Sequence, residues 1–110
     1  MKSLSGYQIM WMIVLFDLPV ITAAERKKAT AFRKELLTAG FHMSQFSVYY
    51  KMLSGKEKLE RMTRHVSAVV PKGGKVDIVA ITDRQYGDIQ TFSDGNLQKK
   101  PKKGGQIALF

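Results

Sequence analysis

The chain of 110 residues is 45% apolar and 25% charged, enough for one small core and too little for two. It has no cysteine, which excludes a disulfide framework and a thiolate metal site and agrees with a reducing compartment. Eighteen Lys and Arg against nine Asp and Glu leave a net charge of +9. That excess invites a polyanion, nucleic acid first, because phosphate neutralisation and counterion release give basic surfaces a sequence-independent affinity; a merely solubilising surface is the plain alternative.

Met1 to Gly6 reads as a loose leader. Ile9 to Phe16 is the longest apolar run and reads as a strand, with Ile9, Trp11, Ile13 and Leu15 on one face and Met10, Met12, Val14 and Phe16 on the other. Both faces therefore need cover. The run stops at Asp17 and Pro19, far short of a membrane span, and lacks a small-residue cleavage site. No membrane partner is expected, and the expected location is cytoplasmic. Thr22, with Glu25 three residues on, has the spacing of a capping box. A helix follows to about Gly40, with Ala29, Phe32 and Leu36 as its apolar stripe, Leu37 at the edge, and Lys27 and Lys34 on the solvated side.

Phe41 to Met43 and Phe46 to Tyr50 read as extended, either one long strand or two divided by a bulge around Ser44 and Gln45. Gly55 opens a second helix in which Leu59, Met62, Val66, Val69 and Val70 recur at helical spacing, until Pro71 to Gly74 end it. Val76 to Ile81 is a further strand. Ile89 to Phe92 is a shorter one, after a turn containing Asp83 and Gly87. If residues 41–50 supply two pairing stretches, the order is that of an α+β, ferredoxin-like β-α-β-β-α-β sandwich with two helices on one sheet face. The other face is then bare, and a two-fold related copy is its expected cover, which makes the chain a homodimer.

Residues 1–95 form the expected domain, and residues 96–110 a basic arm with an apolar end. Lys99, Lys100, Lys102 and Lys103 surround Pro101, and either touch phosphates or are simply solvated. Ile107 to Phe110 is apolar enough to add a short edge strand to its own sheet or a partner's.

Asp17 stands directly after the first strand, where sheets often place functional groups; the bland alternative is a turn or capping Asp. If a dimer axis passes near this strand end, two Asp17 carboxylates approach a common point. Such a pair suits Mg²⁺, which takes one or two carboxylates and completes its octahedron with water and phosphate oxygens. His42 and His65 lie on different elements and form no metal motif. Ser47 reads as polar alternation within a strand, with no Ser-His-Asp spacing around it. Gly73-Gly74-Lys75 reads as a turn rather than a phosphate cradle. On the first helix Arg26, Lys27, Lys28, Arg33 and Lys34 crowd together. Arg26, Arg33 and Lys34 are candidate nucleic-acid contacts, and Arg33, beside the apolar stripe, is the best placed for an ordered one. Phe46, Tyr49, Tyr50 and Tyr86 offer rings for bases, although core or dimer packing explains them more simply. No RNP-type aromatic motif is present.

Ile13-Val14-Leu15-Phe16-Asp17-Leu18-Pro19, Phe32-Arg33-Lys34, Leu36-Leu37, Gly40-Phe41, Gln45-Phe46-Ser47-Val48-Tyr49, Lys75-Val76 and Ile81-Thr82-Asp83-Arg84-Gln85-Tyr86 together resemble the smaller of the two near-universal CRISPR adaptation proteins, the Cas-two family. The Asp-Leu-Pro form looks like its type II branch, and the resemblance covers about residues 9–95. It implies a ferredoxin-like dimer joined through its sheets, acting on DNA beside the adaptation integrase when spacer DNA is captured. Members are also described as Mg²⁺-dependent nucleases on RNA or DNA. Their aspartate after the first strand, the catalytic metal ligand, maps onto Asp17; Ser47 and Arg33 are supporting carry-overs. Phe16 departs from the Tyr that many relatives carry there. The resemblance thus leaves a metal-dependent phosphodiesterase, a non-catalytic scaffold that grips DNA, or a toxin-like ribonuclease. A small-molecule regulatory domain is a more distant reading.

Overall fold

In the computed structural model, residues 8–99 are described, in the order β1 (Ile9–Asp17), α1 (Ala23–Thr38), β2 (His42–Gln45), β3 (Val48–Ser54), α2 (Lys56–Ala68), β4 (Lys75–Thr82), α3 (Asp83–Gly87), β5 (Thr91–Ser93) and β6 (Asn96–Gln98). The main sheet runs β2-β3-β1-β4 with every neighbouring pair antiparallel. The fold is thus mixed α+β, with the doubly apolar β1 in the interior of the sheet. Of the two alternatives for residues 41–50, the structure has two strands. Their pairing shifts between Met43 and Gln45, so the expected bulge at Ser44 is present. The extended stretch expected from Phe46 instead begins with a turn at Phe46 and Ser47, and β3 continues past Tyr50 to Ser54.

Strand alternation sorts the sheet into two faces. Met12, Val14 and Phe16 of β1 and Tyr49 and Leu53 of β3 share a core with Ala29, Phe32 and Leu36 of α1 and Val66 of α2. Burying a Phe or Leu side chain here contributes about 1.5–3 kcal/mol. Thr22 caps α1: its Oγ1 accepts from the Glu25 N–H at 3.1 Å, while Glu25 Oε1 accepts from the Thr22 N–H at 2.9 Å. The box contributes on the order of 1 kcal/mol. At Gly55, which leads into α2, φ is +92°, a conformation that a side chain would strain.

The second face is only partly bare, which corrects the expectation of an open sheet. The segment after β4, expected to be a turn, is the short helix α3, capped by Thr82 and Gln85 in a second capping box. It lays Tyr86 flat on Trp11, with ring centroids 3.8 Å apart and planes 8° from parallel, while the Trp11 indole Nε1 donates to Asp83 Oδ1 at 2.8 Å. Trp11 is 1% exposed as a result. Tyr50 joins the cluster, its ring 5.9 Å from Trp11 and 5.8 Å from Tyr86. Burial, the neighbouring Tyr50 and a hydrogen bond donated to Tyr50 push the Tyr86 hydroxyl up to about 12. Further along this face Leu15 and Val79 remain 37% and 42% exposed. The expected short strand near Ile89 to Phe92 is β5, which pairs with β6 in a separate hairpin instead of joining the main sheet. The hairpin borders a cavity of about 610 Å³ over this face, lined by Ile13, Val48, Tyr50, Tyr86 and Phe92 among others. Lys100, Lys102, Lys103 and the apolar end Ile107 to Phe110 lie outside the described residues.

Candidate nucleic-acid interface at the carboxyl end of the first strand

β1 carries the chain to Asp17 and then stops, because Pro19 lacks the N–H that a continuing ladder needs. Leu18 is buried and anchors the turn; a Cβ on Gly74 would collide with its Cδ2, so a larger residue there would force the Leu18 side chain to shift. Asp17 itself is exposed. Its register partner on β4 is Lys75, so a carboxylate and an ammonium stand on adjacent strands at one sheet end.

The loop after Asp17 is held from α1. Arg26 Nη1 donates to the carbonyls of Val20 at 3.1 Å and Ile21 at 2.8 Å. Glu25 Oε1 also accepts from the Ile21 N–H at 2.9 Å. The Thr22 N–H, foremost, and that of Ile21 hold the Glu25 carboxyl below the usual range. Arg26, read from the sequence as a phosphate contact, is therefore a brace for this loop. Two lysines, Lys28 and Lys72, line a cavity of about 170 Å³ on the far side of Leu18 and Pro19.

Arg33 lies one helical turn after Ala29 and points to the β2–β3 turn. Its guanidinium carbon sits 3.8 Å above the centre of the Phe46 ring and 5.7 Å from that of Phe16, and its Nε is 3.5 Å from the Phe46 carbonyl oxygen. The first distance is a close cation–π contact, and the last a long hydrogen bond. Phe16 packs edge-on against Phe32, at 5.1 Å, and beside Tyr49 at 5.6 Å, so its ring belongs to the core. Ser47 is half-buried, and its carbonyl oxygen accepts from the Phe16 N–H at 3.1 Å. Arg33 and the Ser47 carbonyl thus meet Phe16 at the carboxyl end of β1, Arg33 on the helix side of the sheet, while Asp17, the next residue, alternates to the other side.

Lys34 and Lys99 are exposed. His42 stands beside Tyr50, with ring centroids 5.7 Å apart, and His65 Nε2 is 4.0 Å from Glu35 Oε1 across the two long helices. Among the rings considered for base stacking, Tyr49 and Tyr86 are core residues, whereas Phe46 is 67% exposed. Sequence reasoning overlooked Lys75 and the Phe46–Arg33 pair. Lys75 depends on the β1–β4 register and the Phe46–Arg33 pair on how α1 packs against the β2–β3 turn, although Lys75 directly before a predicted strand, as Asp17 stands directly after one, was a usable signal.

No group of three or more His, Cys, Asp or Glu able to hold a metal ion occurs among the described residues. Asp17 alone fits as one oxygen ligand of a hard cation, a set that water, phosphate or a second carboxylate would have to complete. No described helix is long and apolar enough to cross a membrane.

Fold and charge together define a small, basic α+β domain with an exposed carboxylate at the end of an interior strand. The family model described as CRISPR associated protein Cas2 matches residues 10–89. A relative named CRISPR-associated endoribonuclease Cas2, from Paracidovorax avenae, is 48% identical over 107 residues, covering 97% of this chain and 99% of its own. Another of that name, from Flavobacterium psychrophilum, is 38% identical, covering 97% and 93%. The fold is also similar to a solved structure titled "Crystal structure of cas2", with a TM-score of 0.56 and 19% identity over 86% of this chain and 95% of that one. The chain belongs to the Cas2 family of CRISPR-associated proteins.

Proposed function

We propose that this chain is a CRISPR adaptation protein that works as a ferredoxin-like homodimer and cuts phosphodiesters of RNA or DNA at a site built around Asp17, beside the adaptation integrase in the cytoplasm. Asp17 at the open end of β1, flanked by Lys75 in register and with Arg33 at the same end, carries this reading. The relatives named as endoribonucleases support it. Leu15 and Val79, apolar and part-exposed on the second face, fit cover by a second copy. Residues 1–95 are the domain and residues 96–110 the arm, although the β5–β6 hairpin spans that boundary, and the arm with Lys99, Lys100, Lys102 and Lys103 extends the grip on DNA.

Asp17 from each of two copies would hold Mg²⁺, which when bound supplies charge stabilisation at the phosphoryl oxygens. Lys75 attracts a phosphate to the strand end and orients it toward Asp17. The core ring of Phe16 sets the position of its neighbour Asp17, and the carbonyl oxygen of Ser47 ties the β2–β3 turn to the same strand. Ser47 therefore acts through its backbone. Because Phe16 brings no hydroxyl to this place, a second reading, a scaffold that grips DNA without cutting it, has its own observation behind it.

Cleavage of labelled RNA and DNA by the parent and Asp17→Asn, with Mg²⁺ and with chelator, tests the site. The parent cuts only with Mg²⁺, and the variant loses on the order of a hundredfold or more in rate. Equal rates would remove Asp17 from the site. No cutting by either protein, with DNA binding intact, would favour the scaffold. Duplex affinity falls steeply as salt rises and varies little with sequence; a flat salt response in titrations with unrelated duplexes would contradict the basic grip.

A further inference from the structure

We propose that Phe46, backed by Arg33, is a stacking platform for an unpaired nucleobase at the sheet end that carries Asp17. The proposal rests on the nucleic-acid reading above and adds which strands are accepted. Phe46 occupies the β2–β3 turn and is 67% exposed, although burying such a ring would be favourable by about 1.5–3 kcal/mol. It is held in that position: the Arg33 guanidinium carbon lies 3.8 Å from the ring centre, and Arg33 also reaches the Phe46 carbonyl oxygen and the Phe16 ring. One side of the ring is therefore backed by a cation that is itself fixed on the core, and the rest of the ring is open to solvent.

The position matters as much as the ring. β1 and β3 pair as far as Leu15 with Val48, and the Phe16 N–H continues the ladder to the Ser47 carbonyl at 3.1 Å. One further step along the chain is Asp17 on one side and Phe46 on the other, so the carboxylate and the platform share the end of the same ladder. Every base offers a π-face, so stacking on Phe46 is indifferent to sequence. A base inside a duplex already has both faces occupied. The platform therefore selects nucleotides that are single-stranded or splayed out, while the guanidinium adds positive charge beside the neighbouring phosphate.

Binding is measured without Mg²⁺ and with chelator, so cleavage does not enter. The probes are a short fluorescent single-stranded oligonucleotide, the same strand with one 2-aminopurine, and the matched duplex. The proteins are the parent, Phe46→Ala, Phe46→Leu and Phe46→Trp. Phe46→Ala weakens single-strand binding roughly 5- to 100-fold, Phe46→Leu stays near it, and Phe46→Trp binds at least as well as the parent. Duplex affinity is unchanged, and 2-aminopurine is quenched by the parent and by Phe46→Trp only. Equal single-strand affinity of parent and Phe46→Ala, full rescue by Phe46→Leu, or a parallel loss on duplex would overturn the platform. A parent that binds no nucleic acid would sink the proposed function along with it. Normal stacking with failed Asp17-dependent cleavage would sink the nuclease reading alone.

Discussion

At its amino end β1 sends Trp11 under α3, where Tyr86 covers the ring and Asp83 accepts a hydrogen bond from the indole N–H; at its carboxyl end it leaves Asp17 in solvent, with Lys75 beside it. The first end is closed by aromatic stacking and a satisfied hydrogen bond. The second keeps its polar groups outward, with Arg33 holding an exposed ring instead of a buried one. The difference teaches that one strand can separate stability from chemistry by position. On the proposed function, changes at the Trp11 end are expected to show in unfolding and changes at the Asp17 end in phosphodiester cleavage.

The largest stability effect is expected from Trp11→Ala, which empties the space under Tyr86 and costs about 3–5 kcal/mol in urea unfolding. A loss of under about 1 kcal/mol would mean that the Trp11 cluster is not a closure. Asp83→Ala comes next. It strands the indole N–H and is expected to cost about 1–3 kcal/mol, with Trp11→Phe in the same background recovering part of the loss by removing that donor. No recovery would place the effect in α3 itself.

A smaller effect is expected from pH. The Tyr86 hydroxyl is pushed up to about 12 from an ordinary value of 10.0, so the folded protein keeps this proton where the unfolded chain gives it up. The resulting stability is fully present below pH 10 and is lost as pH rises through about 12. Unfolding midpoints of the parent and Tyr86→Phe on both sides of that window give the difference. It shrinks with pH if the account holds, and stays constant if Tyr86 titrates as in the unfolded chain.

Much of this was legible in the sequence. The alternation of Met12, Val14 and Phe16 gave β1, and Ala29, Phe32 and Leu36 with the Thr22–Glu25 box gave α1, because local periodicity and capping depend on neighbours in the chain. The bulge around Ser44 and Gln45 was one of two alternatives that the sequence left open for residues 41–50. What escaped was long-range: Trp11 and Asp83 are 72 residues apart, and although the Thr82–Gln85 spacing is a local sign of a helix start, nothing local says that this helix covers a distant ring. The same holds at the candidate site. Asp17 was visible from its place at a strand end, whereas Lys75 became its neighbour only once the β1–β4 register was known. The bracing role of Arg26 was not legible, because its charge is evident in the sequence and the two carbonyls that it holds are not.

The separation of the two ends is tested most directly by measuring unfolding free energy and Mg²⁺-dependent cleavage per folded molecule for Asp17→Asn and Asp83→Ala side by side. The account predicts a crossed result: Asp17→Asn unfolds within about 0.5 kcal/mol of the parent yet no longer cuts, and Asp83→Ala is clearly less stable yet cuts as fast as the parent. Stability and cleavage falling together in both variants, or cleavage surviving in Asp17→Asn, would contradict it.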